Sequence, residues 1–141
     1  MEDIGNTEQF EQMAACYDSP ERNRIATIIA EAMRGKLRVN QRSKAMDFGC
    51  GTGLVGLNIH AEFHELVFVD WSLAMLKQVE EKLEQMALPI KARTLQIDLE
   101  REAAEQEHFS CILMSQVLLN IKDYPSVLLS WPAYWKQAVS Y

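Results

Sequence analysis

Three cysteines, three histidines, four prolines and six glycines in 141 residues leave little material for several kinds of protein. Cys16, Cys50 and Cys111 are odd in number and lack the paired spacing of a metal site. They read as reduced thiols of a cytoplasmic protein, not as a disulfide framework. His60, His64 and His108 are scattered and make no metal-ligand pattern. No apolar run approaches the roughly 20 residues of a membrane span, and the acidic, polar N-terminus is unlike a signal peptide. Basic residues are outnumbered, 14 Lys and Arg against 20 Asp and Glu, for a net charge of −6. That disfavours nucleic acid as a partner, because phosphate binding needs a basic face. The one basic cluster, Lys36, Arg38, Arg42 and Lys44, reads as a solvated linker. Repeats, low-complexity tracts and interdomain linkers are missing. What remains is 48% apolar and 24% charged, an ordinary globular composition sufficient for one domain over residues 1–141 with its own core.

Against that background one stretch stands out, Asp47-Phe-Gly-Cys-Gly-Thr-Gly-Leu-Val-Gly56. Ala45 and Met46 lead into it, and Leu54, Val55, Leu57 and Ile59 follow. This is the pattern of a strand end, a glycine loop and the first turns of a helix. Gly49, Gly51 and Gly53 lack a Cβ and can take positive φ, so the backbone can come close to a ligand. The helix start offers unpaired N–H groups to a polar or anionic group. Asp70 ends the next apolar run, Leu66-Val67-Phe68-Val69, about twenty residues on, where a Rossmann-type site holds a ribose. The combination points to a nucleoside-containing cofactor.

The rest of the chain alternates helix and strand signals. Ser19-Pro20-Glu21 is a helix start, with Ser19 as N-cap and Pro20 in the first turn. Ile25, Ile28, Ile29, Ala32 and Met33 fall on one helical face, and Gly35 ends the helix. Strands are expected near 44–48, 66–70, 91–97 and 109–114. Helices are expected near 53–61, from Ser72 to about Ala87, near 100–106, and from about 123–126 onward. Leu73, Leu76, Val79, Leu83 and Met86 form the buried side of the helix after Ser72. Such alternation implies an α/β fold: a parallel sheet with helices on both faces.

Gly51, Gly53 and Gly56 also satisfy G-x-G-x-x-G, which keeps an NAD-dependent oxidoreductase in view. Asp47 weighs against it, because a carboxylate just before the loop repels a diphosphate and suits a cationic amino group. Gln96-Ile97-Asp98-Leu99 adds an acid at a third strand end. Asp-x-Gly-x-Gly-x-Gly, then Val69-Asp70-Trp71-Ser72 with Met75, then Ile97-Asp98, resembles the class I, Rossmann-like S-adenosylmethionine-dependent methyltransferases of small-molecule type. The resemblance runs from about residue 10 to 125. It implies S-adenosyl-L-methionine as cofactor and methyl transfer as the activity. It places Asp47 at the methionyl end, with Gly49, Cys50, Gly51 and Gly53 passing beneath the methionyl and ribose groups. It places Asp70 on the ribose hydroxyls, since a carboxylate has two acceptor oxygens. Trp71 and Met75 would flank the adenine, with core packing as the alternative for both. Asp98 and the Leu99 amide would meet the adenine edge, Ser115 would face the methyl group, and Tyr17 would belong to a covering segment. Turn or cap roles are the ordinary alternatives for Asp70 and Asp98. No catalytic base is singled out, since orientation of an acceptor toward a sulfonium methyl supplies much of the catalysis.

After the fourth strand comes Ser115-Gln116-Val117-Leu118 rather than the Asn-Pro-Pro-Tyr type of motif that holds an exocyclic amine. With the acidic charge, this favours a small-molecule acceptor. Class I methyltransferases continue for three more strands, often after a Pro-Gly-Gly turn. Here an aromatic tail, residues 126–141 with Trp131, Tyr134, Trp135 and Tyr141, follows instead. The expected sheet is therefore truncated at its C-terminal side, with the fourth strand as an open edge. A homodimer through that strand and the tail is expected, or a weakly catalytic cofactor-binding module completed by a partner chain. The competing expectation is that the tail folds back as a helix on its own sheet.

Overall fold

The computed structural model describes residues 18–115 and 124–140. Tyr17 and the side chains of Asp98 and Leu99 lie outside the described residues. The first helix, α1 (Pro20–Arg34), starts as its sequence dictates: the Ser19 hydroxyl accepts from the Arg22 amide and Pro20 occupies the first turn. Then come β1 (Lys44–Phe48), α2 (Leu54–Ile59), β2 (Glu65–Asp70) and α3 (Leu73–Met86). They are followed by β3 (Lys91–Gln96), α4 (Ile97–Glu105), β4 (Cys111–Leu113), α5 (Tyr124–Leu129), α6 (Ala133–Ala138) and the two-residue β5 (Val139–Ser140).

The strands make one parallel sheet in the order β3-β2-β1-β4-β5. Met46, Phe48, Leu66, Val67, Phe68 and Val69 are all buried, because helices cover both faces and a central parallel strand has no solvent side. On one face Ala45, Leu66, Phe68, Cys111 and Leu113 meet Ala26, Ala30 and Met33 of α1, Val55 and Ile59 of α2, and Val79 of α3. On the other, Met46, Phe48, Val67, Val69 and Ile112 meet Ala104 of α4 and Trp135 and Ala138 of α6. β3 is an outer strand of this sheet, and its alternating exposure with Lys91 and Arg93 outward suits an edge.

Two helix faces differ from their sequence reading. On α1 the buried residues are Ala26, Ala30 and Met33, while Ile25 and Ile28 stay exposed. α1 packs chiefly against α2, with Ala26, Ala30 and Met33 in the core they share, and Arg34 donates to Glu62 and to the Asn58 carbonyl of α2. On α3 the buried residues are Met75, Leu76 and Val79, while Leu73 and Met86 at its ends stay exposed. Gly35 does end α1, but with a right-handed φ of −65°, so no left-handed cap conformation is involved. β3 stops one residue early, at Gln96, whose amide donates to Glu100 Oε2 at 2.9 Å. Asp98 therefore stands in the first turn of α4, not at the end of a strand.

The tail folds back on its own sheet. Trp135 is fully buried, its indole N–H donating to the Glu107 carbonyl at 3.0 Å. Trp131 packs edge-on against Phe48 at 4.7 Å between ring centroids and against Trp135 at 5.6 Å. Tyr134 stacks on His108. Val139 and Ser140 then pair with Ile112 and Leu113 of β4. The fourth strand is thus not an open edge, and two of the aromatic groups on which a dimer was expected are spent inside the chain.

Candidate functional site

Strand order reverses at β1: β2 and β3 lie to one side of it, β4 and β5 to the other. In open parallel sheets the crevice at such a reversal, beyond the carboxyl ends of the strands, is the usual ligand site. The glycine loop leaves β1 at this point, Asp70 ends β2, and Ser115 follows β4.

The loop's shape depends on its glycines. Gly49, Gly51 and Gly53 have φ of 71°, 56° and 83°, a region costly for residues with a Cβ. Gly49 and Cys50 both donate to the Val69 carbonyl, at 2.8 and 3.0 Å, which hangs the loop from the end of β2. Asp70 holds it from below. Its Oδ2 accepts from the Gly51 amide at 2.8 Å and its Oδ1 from the Ser72 amide at 2.8 Å. Carboxylate oxygens can accept further bonds, so Asp70 can shape the loop and still receive a ligand hydroxyl.

Gly56, in α2, has a different reason to be glycine. A Cβ there would lie 2.5 Å from Phe68 Cε1 and 2.6 Å from Asp47 Oδ2. The helix therefore sits directly over Asp47. That carboxyl is 1% exposed, and neither oxygen has a hydrogen-bond partner among the described residues. The Gly56 amide favours its charged form but does not reach hydrogen-bond geometry. Burial first, and the charge of Asp70 second, push its pKa from an ordinary 3.8 up to about 7. An orphaned buried acid beneath a glycine loop is the signature of a site whose complement is a donor, and a cationic one best.

Burial and the charges of Asp70 and Asp47 raise the Cys50 thiol well above its usual range, which suppresses the nucleophilic thiolate. Met75 is fully buried in the first turn of α3, its amide donating to Ser72 Oγ at 3.1 Å. Trp71 is also a core side chain, 7% exposed and edge-on to Phe48 at 5.1 Å, with its buried indole N–H lacking a partner among the described residues. Its carbonyl accepts from Gln96 Nε2 at 3.0 Å, tying the end of β2 to the end of β3. The structure thus gathers Asp47, Gly49, Cys50, Gly51, Gly53 and Asp70 into one connected group.

Sequence reading missed Thr52 and Lys82, and it paired Asp18 with Tyr17 in a covering segment without joining it to the loop. Thr52, inside the loop, is 1% exposed; its hydroxyl donates to Asp18 Oδ1 and its carbonyl accepts from Lys82 Nζ at 2.8 Å. Asp18 Oδ2 and Lys82 Nζ stand 2.5 Å apart. These partners lie 34 and 30 residues from Thr52, so no local pattern joins them.

Residues 45–134 match the family model described as "Methyltransferase domain". The chain belongs to that family, the Rossmann-like class I methyltransferases, whose cofactor is S-adenosylmethionine. No curated protein matches the sequence. Among solved structures, the cyclopropane synthase MmaA2 from Mycobacterium tuberculosis is similar at 22% identity and TM-score 0.52, covering 62% of this chain and 30% of that one. The magnesium protoporphyrin IX methyltransferase ChlM from Synechocystis PCC 6803, with bound SAM, is similar at 12% identity and TM-score 0.53, covering 74% and 49%. YcgJ from Bacillus subtilis is similar at 14% identity and TM-score 0.55, covering 70% and 42%. These likenesses establish the fold. The chain spans less than half the length of each of the three.

Proposed function

We propose that this chain binds S-adenosylmethionine in the crevice at the ends of β1, β2 and β4 and takes part in transfer of its methyl group to a small-molecule acceptor. The observation that carries the reading is Asp47. It is a buried acid with no partner among the described residues, beneath a loop of left-handed glycines, and it fits the ammonium of a methionyl group while opposing a diphosphate. Asp70 takes the ribose hydroxyls while keeping the loop closed. Met75 and Trp71 support the adenine side from the core, with Asp98 and the Leu99 amide assigned to the adenine edge. Ser115 is assigned to the methyl side and Tyr17 to the covering segment. The sulfonium makes the methyl group electrophilic when the cofactor is bound; the protein's part is to orient the acceptor and hold it dry.

A small-molecule acceptor is favoured over nucleic acid by the net charge of −6. No helix among the described residues is long and apolar enough to cross a membrane. A reducing, cytoplasmic setting belongs to the same reading, supported by the small, odd number of cysteines in the sequence. Calorimetric titration with S-adenosylmethionine, S-adenosylhomocysteine and NAD in parallel tests the cofactor. Micromolar binding of S-adenosylhomocysteine without NAD binding is expected; the reverse would overturn the assignment.

A further inference from the structure

We propose that Asp18 is a positioning residue for the cofactor loop, acting through Thr52 and Lys82. The inference rests on the reading of the loop as a cofactor site. The loop consists of glycines in left-handed conformations, and glycine surrenders more backbone freedom on ordering than any other residue. Such a loop binds well only if something else holds it in shape beforehand. Asp70 does so at Gly51. At Thr52 the grip comes from two elements distant in sequence. The Thr52 hydroxyl donates to Asp18, which stands two residues before α1. The Thr52 carbonyl accepts from Lys82 of α3 at 2.8 Å.

Asp18 and Lys82 are themselves paired at 2.5 Å, closing a three-membered ring around one residue of the loop. Both bonds to Thr52 involve a charged partner, and bonds of that kind are about twice as strong as neutral ones. Thr52 is 1% exposed, so water cannot readily replace a lost partner. Next to it, a Cβ on Gly53 would come 3.1 Å from Val79 Cγ2 of α3. The side of the loop toward α3 is therefore closely confined, and a change at Thr52 is passed along the backbone to Gly53 and Gly51. Asp18 thus couples the entry into α1 to the conformation of the loop beneath the ligand.

The test uses the full chain and four variants: Asp18→Ala, Thr52→Val, Thr52→Ser and the double variant D18A/T52V. S-adenosylhomocysteine is the probe, titrated calorimetrically, and thermal unfolding is followed separately. Asp18→Ala and Thr52→Val should each weaken binding roughly tenfold, within the usual range of coupling between sites. The double variant should bind no worse than Asp18→Ala alone, because Asp18→Ala already removes the Thr52 bond that Thr52→Val deletes. Thr52→Ser keeps the hydroxyl and should restore parental affinity even if it lowers the melting temperature.

Hydrogen exchange of the Gly51 and Gly53 amides in the ligand-free protein gives a second readout, expected to quicken in Asp18→Ala and Thr52→Val and recover in Thr52→Ser. Unchanged affinity in Thr52→Val, equal losses in Thr52→Ser and Thr52→Val, or additive losses in the double variant would overturn the proposal. If the parent itself fails to bind S-adenosylhomocysteine, the cofactor reading falls. The exchange experiment then decides the loop's dependence on Asp18 by itself, and unaltered exchange would refute it.

Discussion

Replacing Asp47 with asparagine keeps the shape of the side chain and removes its charge. The parental carboxyl moves from an ordinary 3.8 in the unfolded chain to about 7 in the folded protein. Between those values the folded protein holds a proton that the unfolded chain has released. Stability of the ligand-free parent therefore falls as pH rises through this window, and the loss is complete above about pH 7. The full difference corresponds to something on the order of 4 kcal/mol. Below pH 3.8 the group is protonated in both states and contributes nothing. The Asp47→Asn variant escapes this dependence. Its buried amide carries a cost of its own, about 1–3 kcal/mol if unsatisfied, but that cost is the same at every pH.

The expected result is a stability difference between variant and parent that shifts in favour of the variant by about 3–4 kcal/mol from pH 4 to pH 8, measured by urea unfolding. The same charge makes the variant worse at its task. At pH 6 the arrival of a cationic amino group beside Asp47 should expel about one proton from the parent and none from the variant. Titration of S-adenosylhomocysteine in two buffers of different ionisation enthalpy reads that number directly. Parallel pH–stability curves for the two proteins would refute the reasoning, because they would mean that the buried acid is not held protonated by its surroundings.

Asp70→Ala removes the acceptors of the Gly51 and Ser72 amides. It should weaken S-adenosylhomocysteine binding by about 1.5–3 kcal/mol while leaving a cooperative unfolding transition; parental affinity in calorimetry would reduce Asp70 to a turn residue. Gly56→Ala places a Cβ against Phe68 and Asp47 and should destabilise by about 1–3 kcal/mol in urea, with an unchanged midpoint showing that α2 can shift at no cost. Trp135→Ala empties the space beneath α6 and strands the Glu107 carbonyl. A loss of about 3–5 kcal/mol is expected, and a small loss would mean that the tail is not part of the cooperative core.

Much of the framework is local, and the sequence states it. Ser19-Pro20 and Ser72 start helices because a side-chain oxygen satisfies an amide three residues on. The run Leu66–Val69 has to be an interior strand because every residue is apolar. The left-handed loop is written in Gly49, Gly51 and Gly53, since few other residues adopt those angles. Asp47 and Asp70 are legible as site residues from their places beside that loop.

The rest depends on what each element meets. Which face of α1 is buried could not be read from Ile25 and Ile28, since periodicity names an apolar stripe but the packing of α1 against α2 selects Ala26 and Ala30. Trp71 has an adenine-facing and a core-facing reading of equal local merit, and contact with Phe48 exists only once the sheet is assembled. The tail's aromatics suit an interface or a core alike; the Glu107 carbonyl and the edge of β4, both supplied by distant residues, settle Trp135 and Val139 inside the chain. The clamp on Thr52 joins three segments that only the fold brings together. Short-range hydrogen bonding and steric freedom are encoded residue by residue, and so the sequence alone determined the first four strands, the helix N-caps and the loop. Burial and long-range pairing are properties of neighbours, and only the tertiary structure decided which faces, aromatics and charges would have them.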